Sequence, residues 1–156
     1  MRRIVGLCVV LMLCVSCVEE DAAQQDLICT EEYVGSECTV FEIVNQERAQ
    51  EGLSAYRFDV NLAQAARAHA KDMVERGYFS HESPDGGTFS ERATGAGYEG
   101  FPSGENIAYG QPTAQQVMDA WMNSPGHKSN ILSDKSTAIG VGMHEGYWVQ
   151  VFGVDR

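Results

Sequence analysis

The segment WMNSPGHKSNIL, residues 121–132, holds the densest local signals in this chain of 156 residues. Ser124 followed by Pro125 is typical of a helix start, because serine is a favoured N-cap and proline fits the first helical position. The segment therefore predicts a short helix that begins at Pro125, runs through His127 and ends near Leu132.

Three longer helices are predicted upstream of this segment from apolar residues spaced three or four positions apart. The clearest pattern runs from Leu62 to Val74, with Asp59 or Asn61 as its N-cap and Gly77 as its end. The other two helices span about Thr39 to Glu51 and from Pro112-Thr113 to Trp121-Met122.

Downstream of the segment, two strands are predicted to close the chain. Ile139, Val141 and Met143 alternate with small or polar residues, and residues 147–154 are rich in aromatic and β-branched types. Glu145-Gly146 between them suits a tight hairpin turn. Because a lone hairpin is marginal in water, helices must cover it. The fold class predicted is therefore α+β, a layered sandwich.

The middle of the chain, residues 79–110, has a different composition. It is rich in glycine and serine and contains Ser83-Pro84-Asp85-Gly86-Gly87, Gly95-Ala96-Gly97 and Gly104-Glu105-Asn106. This turn chemistry predicts an irregular stretch with one short helix around Phe89 to Thr94. A long irregular stretch inside a compact domain is usually functional.

Residues 1–16 have the pattern of an export signal, in which Arg2-Arg3 precedes an uncharged run ending at Ser16. A helix of that run covers about 20 Å, which is too short for a hydrocarbon core of roughly 30 Å. Ser16 directly before Cys17 resembles a bacterial lipoprotein processing site. We therefore predict a signal peptide over residues 1–16 and lipidation of Cys17. Plain secretion, with Cys17 incidental, is the alternative.

The mature chain is expected to begin with a lipid-anchored polar tether, residues 17–37, followed by one domain over residues 38–156. Val18 after Cys17 favours the outer membrane or the cell surface. Cys29 and Cys38 form an even pair in a compartment that permits disulfides, so a bridge between them is expected, with two free thiols as the alternative.

Charge excludes one class of partner. The net charge of the chain is −11, and the signal peptide removes two arginines and no acid. Such a balance repels phosphate backbones, so no nucleic-acid role is expected.

Six short motifs occur in an order that is informative as a set. They are Asn45-Gln46-Glu47-Arg48, Tyr78-Phe79-Ser80-His81, Gly104-Glu105-Asn106-Ile107-Ala108, residues 121–132, Ile139-Gly140-Val141-Gly142 and Trp148-Val149-Gln150-Val151-Phe152-Gly153. Together they resemble a CAP-superfamily (SCP/PR-1-like) domain of the bacterial type, over about residues 40–153. The resemblance implies a three-layer α-β-α sandwich with a central antiparallel sheet.

The resemblance also implies a binding cleft where His81, Glu105 and His127 converge. Eukaryotic members commonly add a second glutamate, and Ser124 stands at that position here. The cleft is therefore expected to lack the fourth acid of the family's tetrad.

Three roles are open for this cleft. Two imidazoles and a carboxylate are ligand types that zinc accepts, so His81, Glu105 and His127 form a candidate metal site for Zn²⁺ or another divalent ion. The same groups could act as general acid and base in a metal-assisted hydrolase of peptide or ester bonds. They could also be an internal polar contact that shapes the surface. We expect His69 to be a satisfied core histidine, His144 to be exposed, and Trp121 and Trp148 to fill the core.

The leading hypothesis is a non-enzymatic envelope domain that binds a lipid-like, sterol-like or amphipathic ligand, or a partner protein. It is motivated by the lack of a recognisable nucleophile motif, by Ser124 in place of the fourth acid, and by lipid-binding members of the family. The metal-assisted hydrolase is the rival hypothesis.

Overall fold

The computed structural model describes residues 35–156. In this part of the chain five helices and four strands follow one another: α1 Ser36–Gln50, β1 Arg57–Phe58, α2 Val60–Arg76, α3 Phe89–Gly95, β2 Phe101–Tyr109, α4 Ala114–Met122, α5 Pro125–Ile131, β3 Ala138–His144 and β4 Tyr147–Val154. The predicted signal peptide, Cys17 and Cys29 lie outside the described residues, so these predictions and the disulfide stay predictions. None of the helices in residues 35–156 has the length and apolar character needed to cross a membrane.

The strands form one sheet in the order β1-β3-β4-β2. The three long strands are antiparallel, as predicted. The sheet as a whole is mixed, however, because the two-residue strand β1 pairs with β3 in parallel, Arg57 opposite Ala138. This parallel pair was not predicted, since two residues are too few to show a strand pattern.

Helices cover both faces of the sheet. Apolar side chains of α1, α4 and α5 pack on one face, around Trp121, Trp148 and Phe152. Those of α2 and α3 pack on the other face, around Leu62 and Val149. The predicted three-layer α-β-α sandwich is confirmed, as is the burial of both tryptophans.

Helix α2 has clear local causes for its two ends. The Asp59 carboxylate accepts hydrogen bonds from the backbone N–H of Asn61 and of Leu62, at 2.9 and 3.0 Å. Asp59, not Asn61, is therefore the N-cap. Gly77 ends the helix in the left-handed conformation, with φ of 68°, as expected for a glycine C-cap.

The helix packs directly onto β3 because that strand has glycine at two inward positions. A Cβ at Gly140 would lie 2.1 Å from the backbone nitrogen of Ala63, and one at Gly142 would lie 2.2 Å from that of Arg67. The alternation of glycine with Ile139 and Val141 thus lets α2 approach the sheet more closely than any side chain would allow.

One element of the irregular middle was predicted wrongly. Residues 101–109, which include Gly104-Glu105-Asn106, form strand β2 and not a turn. Eight residue pairs with β4 override the local turn chemistry, and a register shift between Pro102 and Gly104 absorbs the irregular start. Because β2 is an edge strand, proline is tolerated in it.

A buried arginine fixes the position of α5. Arg48 of α1 donates hydrogen bonds to the carbonyl oxygens of Ile131 and Ser133, at 2.9 and 2.8 Å. Its guanidinium lies 3.5 Å from the centre of the Tyr56 ring. The arginine thus satisfies carbonyls at the C-terminal end of α5, the helix that carries His127.

Candidate functional site

The candidate site is built around Glu105 in the middle of β2. Its side chain is only 1% exposed. Oε1 lies 2.8 Å from Nδ1 of His81, and Oε2 accepts a hydrogen bond of 2.8 Å from Nη2 of Arg92. Both carboxylate oxygens are therefore engaged by other side chains, which offsets the cost of burying the charge.

Arg92 of α3 organises the loop that carries His81. Besides Glu105, it donates hydrogen bonds to the carbonyl oxygens of His81 and Gly87, each at 2.9 Å. One guanidinium therefore joins the sheet to both ends of the 81–87 loop. Helix α3 starts with a capping box in which Thr88 and Glu91 bond to each other's backbone N–H groups, and this fixes the first turn that presents Arg92.

His81 is held on one side and open on the other. Its side chain is 52% exposed. The hydrogen bond to Glu105 raises the pKa of His81, against a smaller opposing effect of burial. His81 thus offers its outer ring nitrogen to solvent while Nδ1 stays on the carboxylate.

His69 supports this arrangement from beneath. It is fully buried on α2, as predicted, and its Nε2 lies 2.9 Å from the carbonyl oxygen of Ser80. Because a carbonyl oxygen only accepts, Nε2 carries the proton. Burial lowers the pKa of His69. The neutral ring holds the backbone next to His81, and Nε2 also lies 4.0 Å from Oε1 of Glu105.

His127 reaches the site from the opposite face of the sheet. It lies on α5, and its backbone carbonyl accepts a hydrogen bond of 3.2 Å from the side-chain amide of Asn106. Partial burial lowers the pKa of His127, and the positive charge on His81 lowers it further. His127 is thus within electrostatic range of His81. The structure joins His81 directly to Glu105, and it joins the backbone of His127 to Asn106, the next residue of β2.

Ser124 stands at the N-cap position of α5, yet its side chain makes no capping hydrogen bond. It is half-buried and brings no acid to the cleft. His144 is also half-exposed, with its Nε2 4.0 Å from Glu145 in the hairpin turn.

Two contributors to the site were not predicted from the sequence. One is Arg92, for which the Thr88-x-x-Glu91 capping box was an available signal of a helix start. The other is Asn130 of α5, whose side-chain amide donates to Oδ1 of Asn106 at 2.9 Å and to the carbonyl oxygen of Glu105 at 3.3 Å. Asn130 thereby fixes α5 against the strand that carries Glu105.

The donor set does not fit a zinc ion. The two oxygens of Glu105 are already bound to His81 and to the positive charge of Arg92, and that charge opposes a nearby cation. Within residues 35–156 no group of three or more His, Cys, Asp or Glu side chains is arranged to hold a metal.

A separate depression of about 620 Å³ lies near the end of α5. Lys128, Leu132 and Lys135 are among its lining residues, and His127 is not.

Sequence comparison finds relatives in Bacillus subtilis. The uncharacterized protein YkwD is 43% identical over 115 residues, which are 72% of this chain and 45% of that protein. The uncharacterized membrane protein YlbC is 33% identical over 117 residues, or 75% of this chain and 34% of that protein. This chain thus spans less than half the length of these curated relatives.

Structure comparison agrees with the sequence relatives. An extracellular protein of Bacillus anthracis that contains an SCP domain superposes with a TM-score of 0.75 and 32% identity, covering 78% of this chain and 41% of that one. An outer surface protein of Borrelia burgdorferi shares the fold, with a TM-score of 0.69 and 22% identity over 76% of this chain and 91% of its own. The cysteine-rich secretory protein (CAP) family matches residues 41–152. The chain therefore belongs to the CAP family, and its domain is of the bacterial type.

Proposed function

We propose that this chain is an exported, lipid-anchored envelope protein whose cleft at His81 and His127 binds an amphipathic, lipid-like ligand without catalysis. The observation that carries the proposal is the way in which the Glu105 carboxylate is bound. The carboxylate is buried and bound through both oxygens, so it shapes the cleft and does not face a substrate.

A hydrolase would need a group free to take a proton from water or a nucleophile. Glu105 is not free to do this, because His81 and Arg92 already hold both of its carboxylate oxygens. His69 is buried with its Nε2 proton on the carbonyl of Ser80. These contacts leave Glu105 and His69 unavailable as bases and favour binding, and they leave His81, whose side chain is 52% exposed, as the group that the rival hydrolase would use.

The cleft offers both polar and apolar contacts. His81 presents an exposed ring nitrogen, and the half-buried His127 lies nearby. Phe79, two residues before His81, is 52% exposed. A ligand with a hydrogen-bonding head and an apolar part would match this surface better than a purely polar one.

The cellular location of the protein is proposed from its sequence and from its relatives. The signal-like start and Cys17 favour export and lipidation, and a Cys29–Cys38 disulfide would be compatible with that compartment. Among the relatives, one is described as extracellular and another as a membrane protein. An outer-membrane or cell-surface location is therefore part of the proposal.

The test uses ¹⁵N-histidine NMR of the mature chain with lysophosphatidylcholine, kept below its micelle concentration. We expect the imidazole signals of His81 and His127 to shift saturably. His144, which is half-exposed outside the cleft, serves as the internal control. The His81→Asn variant should weaken binding several-fold.

Shifts of equal size at His144, or none at the two cleft histidines, would count against the binding site. If the lipid ester is instead cleaved, and the His81→Asn variant loses that cleavage, the hydrolase replaces the proposal. Binding of an envelope protein in place of the lipid would show as cleft shifts with that protein alone.

A further inference from the structure

Three aromatic side chains contact one another near His81, here named the aromatic strip: the exposed Phe79 and Tyr109 and, between them, the half-buried Tyr147. The Tyr109 and Tyr147 ring centres are 4.2 Å apart, and those of Phe79 and Tyr147 are 6.1 Å apart. Phe79 and Tyr109 are 52% and 57% exposed. Large apolar groups left together on a surface usually mark a contact with something else.

The aromatic strip lies at one defined end of the sheet. Tyr109 pairs with Tyr147 at the end of β2, and Tyr147 opens β4 directly after the hairpin turn. Phe79 follows the C-terminal end of α2 and reaches the same place. The strip therefore occupies the hairpin end of the domain, on the α2 side.

The chain enters the domain at this same end. The Glu37 carboxylate, in the first turn of α1, accepts a hydrogen bond of 2.8 Å from the backbone nitrogen of Met143. Met143 pairs with Trp148, beside Tyr147. Residues 17–34, which would connect the domain to a lipid on Cys17, thus join it at the same end of the sheet as the aromatic strip.

We infer that the aromatic strip lies in the lipid–water interface of the membrane that holds the chain, an inference that rests on the lipid anchor of the proposed function. Tyrosine suits this depth because its ring is apolar and its hydroxyl is polar. A short tether holds the domain at an effective concentration of the order of mM at the surface, so a weak contact of three rings is sufficient.

The negative charge of the protein favours contact with one kind of lipid head group over another. The strip itself carries no charge, whereas the chain has a net charge of −11 and Glu145 in the adjacent turn is exposed. Anionic head groups would repel this end of the molecule. The partner is therefore a surface of neutral or zwitterionic lipid, such as phosphatidylcholine.

This orientation would place the cleft beside its source of ligand. His81 is two residues from Phe79, so contact of the strip with the interface brings the imidazole to the depth of the head groups. A lipid could then reach the cleft without crossing bulk water.

The experiment places a fluorescent reporter in the strip. The mature chain, with Cys17→Ser and an N-terminal histidine tag, is bound to phosphatidylcholine vesicles that contain nickel-chelating lipid and brominated acyl chains. Phe79→Trp is the reporter. Phe101→Trp is the matched control, because Phe101 is 59% exposed and lies at the opposite end of β2 from Tyr109 of the strip. The unmodified chain gives the background of Trp121 and Trp148.

We expect the Phe79→Trp chain to lose about half of its added emission, because an indole at the interface lies near the bromines. The Phe101→Trp chain should lose little. Adding Tyr109→Ser and Tyr147→Ser should abolish the loss in the Phe79→Trp chain. Equal quenching at positions 79 and 101, or none at either, overturns the inference.

The tag makes this outcome independent of natural lipidation. Flotation of the untagged chain with membranes, lost on Cys17→Ser, tests the anchor of the proposed function by itself. Quenching that occurs only with free lysophosphatidylcholine carrying a brominated chain, and not on vesicles, would reassign the strip to a soluble ligand and overturn the membrane contact.

Discussion

Glu105 is the residue on which three segments of the chain converge. The carboxylate bonds to His81 of the loop after α2 and to Arg92 of α3, and His69 of α2 lies 4.0 Å away. The cluster combines the Glu105 carboxylate, the permanently charged Arg92 guanidinium and the titratable His81 imidazole, so its charges largely cancel. This explains how an acid at 1% exposure is tolerated in the fold.

Replacing Glu105 by glutamine should therefore destabilise the domain by about 2–3 kcal/mol, because charge-assisted hydrogen bonds become neutral and Arg92 loses its counter-charge. Urea denaturation followed by circular dichroism measures the change. Glu82→Gln is the control, since Glu82 is exposed beside the same histidine. Equal stability of the two variants would show that Glu105 does not hold the loop.

Glu105→Gln should also lower the pKa of His81 toward its ordinary value, because the hydrogen bond from His81 to Glu105 is the main cause of the raised pKa. With the folded-state pKa above the unfolded value, the His81 contribution to stability is complete below about pH 6.5 and is lost as the pH rises through the folded pKa. The contribution is small, since His81 is half-exposed.

At the scale of elements, the sequence predicted what local periodicity determines. Helix α2, the β3–β4 hairpin and the start of α4 near Pro112-Thr113 follow from residues close in the chain. The turn is a left-handed pair, with φ of 46° at Glu145 and 82° at Gly146, as the predicted tight hairpin turn requires. Strand β2 was missed, because its pairing with β4 is a long-range contact that Pro102 and Gly104 conceal.

The residues of the site also divide into those that sequence motifs located and those that only the folded chain brings into contact. The family motifs located His81, Glu105 and His127, but the neutralising partner Arg92 belongs to no motif, and its contact with Glu105 exists only once α3 packs beside β2. The role of Asn130 likewise depends on α5 lying against that strand.

Two N-caps offer a matched pair of variants. Asp59→Ala removes two capping hydrogen bonds at α2 and an ion pair with Arg57. It should cost about 1–2 kcal/mol. Ser124→Ala should cost under about 0.5 kcal/mol, because Ser124 makes no side-chain capping bond. Thermal unfolding of both variants provides the comparison, and a larger loss for Ser124→Ala would contradict this account of the helix ends.

At the scale of the whole molecule, stability depends on how closely α2 can approach the sheet. Gly140→Ala would place a Cβ 2.1 Å from the backbone of Ala63, where neither backbone can yield without separating two layers. The expected cost is more than about 3 kcal/mol. Gly126→Ala in α5, where a Cβ meets nothing within 4 Å, should leave the melting temperature nearly unchanged. Calorimetry of both variants checks this, and similar melting temperatures would refute close packing at Gly140.

The sheet edges have a consequence for the behaviour of the protein at high concentration. On β2, the Trp121 indole donates to the carbonyl oxygen of Ile107 at 3.3 Å, and Asn130 donates to that of Glu105. On the part of β3 that extends beyond the two-residue strand β1, the Glu37 carboxylate accepts a hydrogen bond from the Met143 N–H. Exposed strands with open backbone groups recruit further strands and lead to aggregation. Here side chains already occupy several of those groups, so the edges are poor templates for fibre growth at high protein concentration.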